Sequence, residues 1–462
     1  MRIEKDSMGE MHLPDEALYG ASTQRAVLNF PISDKRFQRE FISALGFIKL
    51  AAATVNRDLG LLAPDKAAAI IAAAEEVVTG KNYQHFVVDV YQTGSGTSTN
   101  MNANEVIANR ALEILQKPKG DKKTIHPNDD VNLCQSSNDV FPSAIHIAAV
   151  ELSDGKLIPA LKNLHAALIK KTQEFSAIVK VGRTHLQDAT PITLGQEFSG
   201  YAAQVQQAWE RIERALISVR HLPLGGTAVG TGLNAHPEFA SKVIAFLNER
   251  TGRSFSEAEN HFAAQAAQDS ILELSGALKG AASALIKIAN DIRWLAAGPR
   301  CNLAELKLPE IQPGSSIMPG KVNPVICESV IMVACQVIGY DTAITFANQQ
   351  SNFELNTALP VMAYSILESI NLLAAAGDNF AEKCIAGISA NEDRCKFFAE
   401  ASLSNCTALV PTLGYDAAAQ VAKKAVTENL SIKEAALAAG LTTPEDLDIL
   451  IDIVKMTKGG IV

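Results

Sequence analysis

Gly314-Ser-Ser-Ile-Met-Pro-Gly-Lys-Val-Asn323 places two hydroxyls, a cation and an amide within ten residues, between glycines that give hinge freedom. The nearest familiar pattern is a phosphate loop, which needs four residues before its Gly-Lys and then Ser or Thr. Here five intervene and Val322 follows, so the phosphate-loop reading fails. On composition alone the segment leans slightly toward a Ser/Gly connector with a solvated lysine. A second stretch, Val181–Asp188, follows a helical pattern and gathers Arg183, Thr184, His185, Gln187 and Asp188. A lone histidine is more often structural than catalytic, yet one beside Thr and several charges can switch protonation near neutral pH. An acid/base role would need a carboxylate to fix its tautomer, and the local residues do not choose that partner.

Three further loops are dense in short polar side chains. In His126-Pro-Asn-Asp-Asp130 and Gln135-Ser-Ser-Asn-Asp139, Ser137, Asn138 or Asp139 could cap a helix after Pro142, or present neutral donors to a carboxylate ligand. The same ambiguity holds for Thr93-Gly-Ser-Gly-Thr97, where a following helix N-terminus would suit an anion. His126 with Asp129 and Asp130 has the residue types of a metal site, but no further ligand spacing completes one, so no metal is expected. Gly225–Asn234 is glycine-rich but lacks the preceding strand of a dinucleotide loop and a third glycine at the right interval.

The elements that must position these loops are helical. Phe41, Leu45, Ile48, Ala52 and Val55 recur at three-and-four spacing over Phe41–Val55, and Lys66–Val78 is Ala-rich. Pro142–Glu174, Thr193–Val219 and Gln265–Ala297 extend the pattern beyond ordinary helix lengths, which points to a bundle of long helices. Alternating strand patterns are scarce. The expected organisation is an N-terminal region at 1–135, a helical core at 136–390 and a C-terminal helical domain at 391–462.

With 47% hydrophobic and 20% charged residues and a formal net charge of -9, the chain reads as globular, and the charge argues against a nucleic-acid surface. No apolar run is read as reaching the length of a membrane span. The start, Met1-Arg-Ile-Glu-Lys-Asp, is not a secretory signal, and seven scattered cysteines without Cys-x-x-Cys point to a reducing, cytoplasmic setting.

Taken together, the loops resemble those of the fumarase/aspartase superfamily, in order and over essentially the whole chain. GSSIMPGKVN at Gly314–Asn323 resembles its signature, joined by Thr93–Asn104, His126–Pro142, Gly182–Tyr201 and Leu224–Asn234. Within it the chain looks most like the class II fumarases, on Gln92-Thr-Gly-Ser-Gly-Thr97, Gln135-Ser-Ser-Asn-Asp139, Leu224-Gly-Gly-Thr227 and Asn352-Phe-Glu-Leu-Asn356. The resemblance implies a mainly α fold with a long-helix bundle core and smaller terminal domains. It also implies a homotetramer with active sites shared between subunits, no cofactor, and a small dicarboxylate substrate: reversible hydration of fumarate to L-malate.

Carried residue by residue, Ser315 matches the base that takes the proton beside a carboxylate, while Lys321 and Asn323 hold that carboxylate as its aci-form. His185 matches the acid/base paired to Glu328. Thr97, Ser137, Asn138 and Thr184 match donors to the substrate carboxylates, with Ser95, Ser136 and Ser316 close by. His126, Asn128 and Asp129 match a second, non-catalytic dicarboxylate site, where the family has an Arg and this chain has Lys123, keeping the charge but losing the fork. Ser98-Thr99 also departs from many fumarases, and Thr97-Ser98 is shared with aspartases, which leaves aspartate ammonia-lyase as the alternative activity. A non-enzymatic paralogue would have lost Ser315, His185, Lys321 or Asn323, and all are present.

Overall fold

The computed structural model describes residues 1–441 and 443–461. The chain is mainly helical. Arg39–Asp58, Leu194–Val219, Asp269–Leu295, Val325–Asn348 and Leu359–Lys383 are its long helices, of 20 to 27 residues. Among the described residues the strands form only two-stranded sheets. The chain divides into two compact units, one of Met1–Pro159, Glu210–Ala282 and Ala334–Ala374, the other of Ala160–Trp209, Ser283–Val333 and the chain from Ala375 on.

In the first unit the Arg39–Asp58 helix buries the expected stripe of Phe41, Leu45, Ile48, Ala52 and Val55. It packs against the Pro64–Val78, Ser137–Leu152 and Phe239–Thr251 helices. Phe37, Phe41 and Phe141 cluster there in tilted and edge-on pairs with ring centroids 4.6 to 5.7 Å apart, each such ring contributing roughly 2 kcal/mol of burial. The Thr97–Ile114 helix completes this layer, and its buried Glu105 accepts from the backbone of Gly20, Ser22 and Thr23 at the start of the Ala21–Asn29 helix.

Two helical expectations are corrected. The helix expected after Pro142 begins five residues earlier, at Ser137, with Ser136 as N-cap and Asp139 closing a capping box. Pro142 therefore lies inside the helix and cannot donate to the Asn138 carbonyl. The pattern over Gln265–Ala297 is broken after Ala266, because Asn348 inserts: its Oδ1 accepts from Gln268 N and its Nδ2 donates to Asp269, capping Asp269–Leu295.

His146 is buried in this unit, one ring nitrogen 3.0 Å from the His221 carbonyl and the other 3.2 Å from Ser270 Oγ. Burial brings its imidazole down to about 4. An unfolded chain takes up that proton near its ordinary value of roughly 6.5, so stability is full above that pH and falls as pH drops toward 4. The loss should total about 3 kcal/mol, and His146→Gln should flatten a plot of melting temperature against pH across that window.

In the second unit Val179–Thr184 and Gln187–Thr193 form an antiparallel hairpin with a bulge between Val181 and Arg183. The polar stretch Val181–Asp188, read from sequence as a loop, is thus the end of a hairpin. A separate apolar cluster, including Leu409, Val421, Ile432, Ala435 and Leu447, gives the C-terminal helices their own core.

The expectation that no apolar run reaches membrane length is also corrected. Val325–Asn348 and Leu359–Gly387 both pass that test by length and composition, with mean hydropathy of 1.6 and 1.4. Two-thirds of the second is buried, as in a core helix, but only 33% of the first is. Met332 and Phe346 stand exposed on it.

Candidate active site

In the first unit two helix N-termini converge. Thr97 opens the Thr97–Ile114 helix and Ser137 opens Ser137–Leu152, and their hydroxyls lie 2.7 Å apart. Ser95 Oγ joins Thr97 Oγ1 at 2.8 Å, making a chain of three hydroxyls. Gly96 is required between them: it sits at φ +72°, and a Cβ there would meet the Phe141 ring at 2.1 Å. Asn138 donates from Nδ2 to the Ala228 carbonyl at 2.8 Å, which fixes its amide and leaves Oδ1 and the second N–H for a ligand. Ser136 Oγ accepts from Asn138 N as the helix cap, which fixes the oxygen and leaves its O–H to donate. Neutral hydroxyls, an amide and two positive helix ends together suit a carboxylate.

Buried groups hold this cluster. Asp139 accepts from Ser136 N with one oxygen and from Gly225 N and Thr227 N with the other, each at 2.9 to 3.0 Å. Burial nevertheless pushes its carboxyl above the usual range. The glycine-rich Gly225–Asn234 segment, which is no nucleotide loop, thereby serves as a strut for the serine loop. A cavity of about 320 Å³ lies against it, lined by Gly225, Thr231, His236 and His261, none of them an expected substrate ligand.

The second-site residues share one turn. His126 Nδ1 accepts from Asn128 N and Asp129 N, capping Pro127–Val131. The Asp129 carboxylate also lies 3.3 Å from that nitrogen. Asp130 is tied up with Lys66, which removes it from any metal reading; Lys123, Asn128 and Asp129 are exposed. Among the described residues no group of three or more His, Cys, Asp or Glu could hold a metal ion.

In the second unit, Ser315 Oγ accepts from Ile317 N at 3.3 Å and Met318 N at 3.0 Å. Donors to that oxygen favour its anionic form. Gly314 N donates to Lys321 O and Asn323 Nδ2 to Gly314 O, so the loop closes on itself. A Cβ on Gly314 would meet Lys321 O at 2.2 Å, which explains the glycine. The Lys321 ammonium and the Ser316 hydroxyl are exposed beside this closure.

The hairpin tip carries Thr184 and His185, both exposed. His185 and Leu186 both have positive φ, 56° and 60°, as a two-residue type I′ turn requires. Neither is glycine, so the turn holds roughly 1 kcal/mol of strain per residue, and such strain marks a position the surroundings over-determine. Its root is a buried ion cluster. Arg183 grips Glu305 with two nitrogens at 2.6 and 3.2 Å, and Lys180 lies between Glu305 and Glu197. Glu328 occupies the first turn of Val325–Asn348. Among the described residues of one chain, no hydrogen bond or ion pair joins His185 to Glu328.

The family model described as Lyase matches residues 9–339, and that described as Fumarase C C-terminus matches residues 406–458. The class II fumarate hydratase of Nitrosomonas europaea is 53% identical over 457 residues, 99% of each chain. The chain belongs to the class II fumarase family. The class II fumarate hydratase of Mycobacterium tuberculosis is also 53% identical, over 99% of this chain and 96% of its own. The crystal structure of class II fumarase from Schistosoma mansoni superposes with a TM-score of 0.97 at 38% identity, covering 99% of both chains. The family fold agrees with the expected mainly α, long-helix architecture.

For a fumarase-family chain the expected ligands fall into coherent groups: a hydroxyl–amide cluster, a closed serine loop and a strained histidine tip. Their supports are not legible as such from the sequence: Lys49, which donates to Asn132 and Gln135 beside Ser136, Asp139 as a strut, and the Arg183–Glu305 pair. Of these, only the acidic residue three after Ser136 carried a signal, as a capping-box pattern.

Proposed function

We propose that this chain catalyses the reversible hydration of fumarate to L-malate, and that the three groups above carry it. The observation that supports it most is the identity of 53% over 99% of the chain to a class II fumarate hydratase, with Ser315, His185, Lys321 and Asn323 all in place. In this reading Ser315 removes the proton beside one carboxylate. Lys321 and Asn323 stabilise the doubly charged aci-form, and Thr97, Ser137, Asn138 and Thr184 bind the carboxylates, with Ser95, Ser136 and Ser316 alongside. His185, partnered by Glu328, delivers or removes the water. Incubation of purified protein with L-malate or L-aspartate, followed by fumarate absorbance, tests the reaction. Fumarate from aspartate but not malate would replace hydration by ammonia elimination.

We also propose a homotetramer in which His185 and Glu328 meet across subunits. Three observations support it: the two do not pair with each other within one chain, only 33% of the apolar Val325–Asn348 helix is buried, and Phe353 is 91% exposed at a hairpin tip. Such exposure on an isolated chain marks interfaces. Met332→Asp should therefore lower the mass seen by sedimentation and abolish activity together; an active, fully assembled variant would refute the interface. Lys123, His126, Asn128 and Asp129 are proposed as a second, non-catalytic dicarboxylate site, weakened by Lys123. The regions 1–135, 136–390 and 391–462 are proposed as N-terminal, bundle and C-terminal domains, the last supported by its own apolar cluster. Seven cysteines, none in a disulfide, support a cytoplasmic location.

A further inference from the structure

Lys49 lies on the Arg39–Asp58 helix, wholly buried against the Asn132–Gln135 segment that leads into Ser136. Its Nζ donates to Asn132 Oδ1 at 2.8 Å and Gln135 Oε1 at 2.9 Å. Both acceptors are neutral amides, and among the described residues no carboxylate lies within ion-pair distance. Of the helices packed against this one, Ser137–Leu152 carries Asp139, whose charge favours the Lys49 ammonium. That carboxylate uses both oxygens on backbone N–H groups instead.

The two amides lead directly to the ligand-binding helices. Gln135 immediately precedes Ser136-Ser137-Asn138. Asn132 accepts from Asn100 Nδ2 at 3.2 Å, in the first turn of the helix that Thr97 opens, and donates to the Gln135 carbonyl at 3.0 Å. An ammonium buried on neutral amides without a contacting anion is costly to keep charged, and a nearby anion would offset part of that cost. Here both neighbouring helix N-termini converge on a place suited to an anion, and a charge in a dry interior is poorly screened.

We propose that Lys49 is a positioning and charge-bearing residue for dianion recognition, acting through Gln135 and Asn132 on the Thr97 and Ser137 helix ends. This rests on the dicarboxylate reading of the site above. Burial brings the Lys49 ammonium down to about 7, so an arriving dianion should draw a proton onto it.

The test compares a dianion with a monoanion of the same length, succinate and succinamate, as inhibitors at neutral pH. Lys49→Met, and Lys49→Gln where the methionine does not fold, should weaken succinate about tenfold or more and succinamate less than about threefold, because a field acts in proportion to charge. KM should rise more than kcat falls. Equal weakening of both inhibitors would mean a structural role only, and no weakening would remove Lys49 altogether; either overturns the proposal. Wild-type protein offers an arm needing no variant: succinate binding at about pH 8 should take up a proton, read by calorimetry in two buffers of different ionisation enthalpy, and none taken up counts against Lys49. A wild type that neither turns over malate nor is inhibited by succinate would instead sink the functional reading.

Discussion

Ser315→Ala should reduce malate turnover by about 10³-fold while leaving the melting temperature and assembly state nearly unchanged, the range expected for loss of a positioned proton acceptor. A serine hydroxyl is a poor base, so the geometry has to favour its anion. Two backbone N–H groups already point at Ser315 Oγ, and the exposed Lys321 ammonium is borne by the same closed loop. Both features stabilise negative charge on oxygen, the first by direct donation and the second by its field. The substitution removes two exposed hydrogen bonds, worth about 1 kcal/mol each at most, so stability changes little. Turnover by the alanine variant within tenfold of wild type would eliminate Ser315 as the base. A large fall in melting temperature would instead mean the hydroxyl mainly holds the loop. The decisive pair of measurements is thus kcat from fumarate absorbance and thermal unfolding on one preparation.

Much of the fold is legible in the sequence because burial dictates period. The Phe41 to Val55 stripe and the Leu194–Val219 helix follow from apolar spacing alone. What escapes is where a single tertiary contact overrides that spacing. Asn348 breaks the Gln265–Ala297 pattern from far along the chain, and Pro142 is accepted inside a helix because the capping box at Ser136 and Asp139 has already started it. The site divides in the same way. Side chains that would touch substrate were visible as resemblance, since their types and order are distinctive. Those that hold them in place are harder to read: Lys49 sits in an apolar helical pattern where a lone charge looks like a solvated face, and Asp139 reads as a helix cap with no sign that it also braces Gly225 and Thr227. The His185 turn reads as a loop because neither His185 nor Leu186 carries the glycine or asparagine that signals a type I′ hairpin.

That unsignalled turn must be held by something other than its own residues, and Arg183–Glu305 is the candidate. Glu305 is fully buried and Arg183 only 14% exposed, and the guanidinium also lies 5.6 Å from the Phe398 ring centroid. Arg183→Met should leave Glu305 facing only Lys180 at 3.8 Å, and breaking such a pair one-sidedly costs about 3–5 kcal/mol. Turnover should fall as well, because the strand next to His185 loses its anchor. Arg183→Lys should recover little, since an ammonium cannot reproduce the two-pronged grip. The double replacement Arg183→Met with Glu305→Leu removes the orphaned charge and should regain most of the stability. If positioning is the pair's role, it will do so without regaining turnover. Full recovery of both would reduce Arg183–Glu305 to a stabilising contact and leave the strain at His185 to be explained by contacts from other subunits.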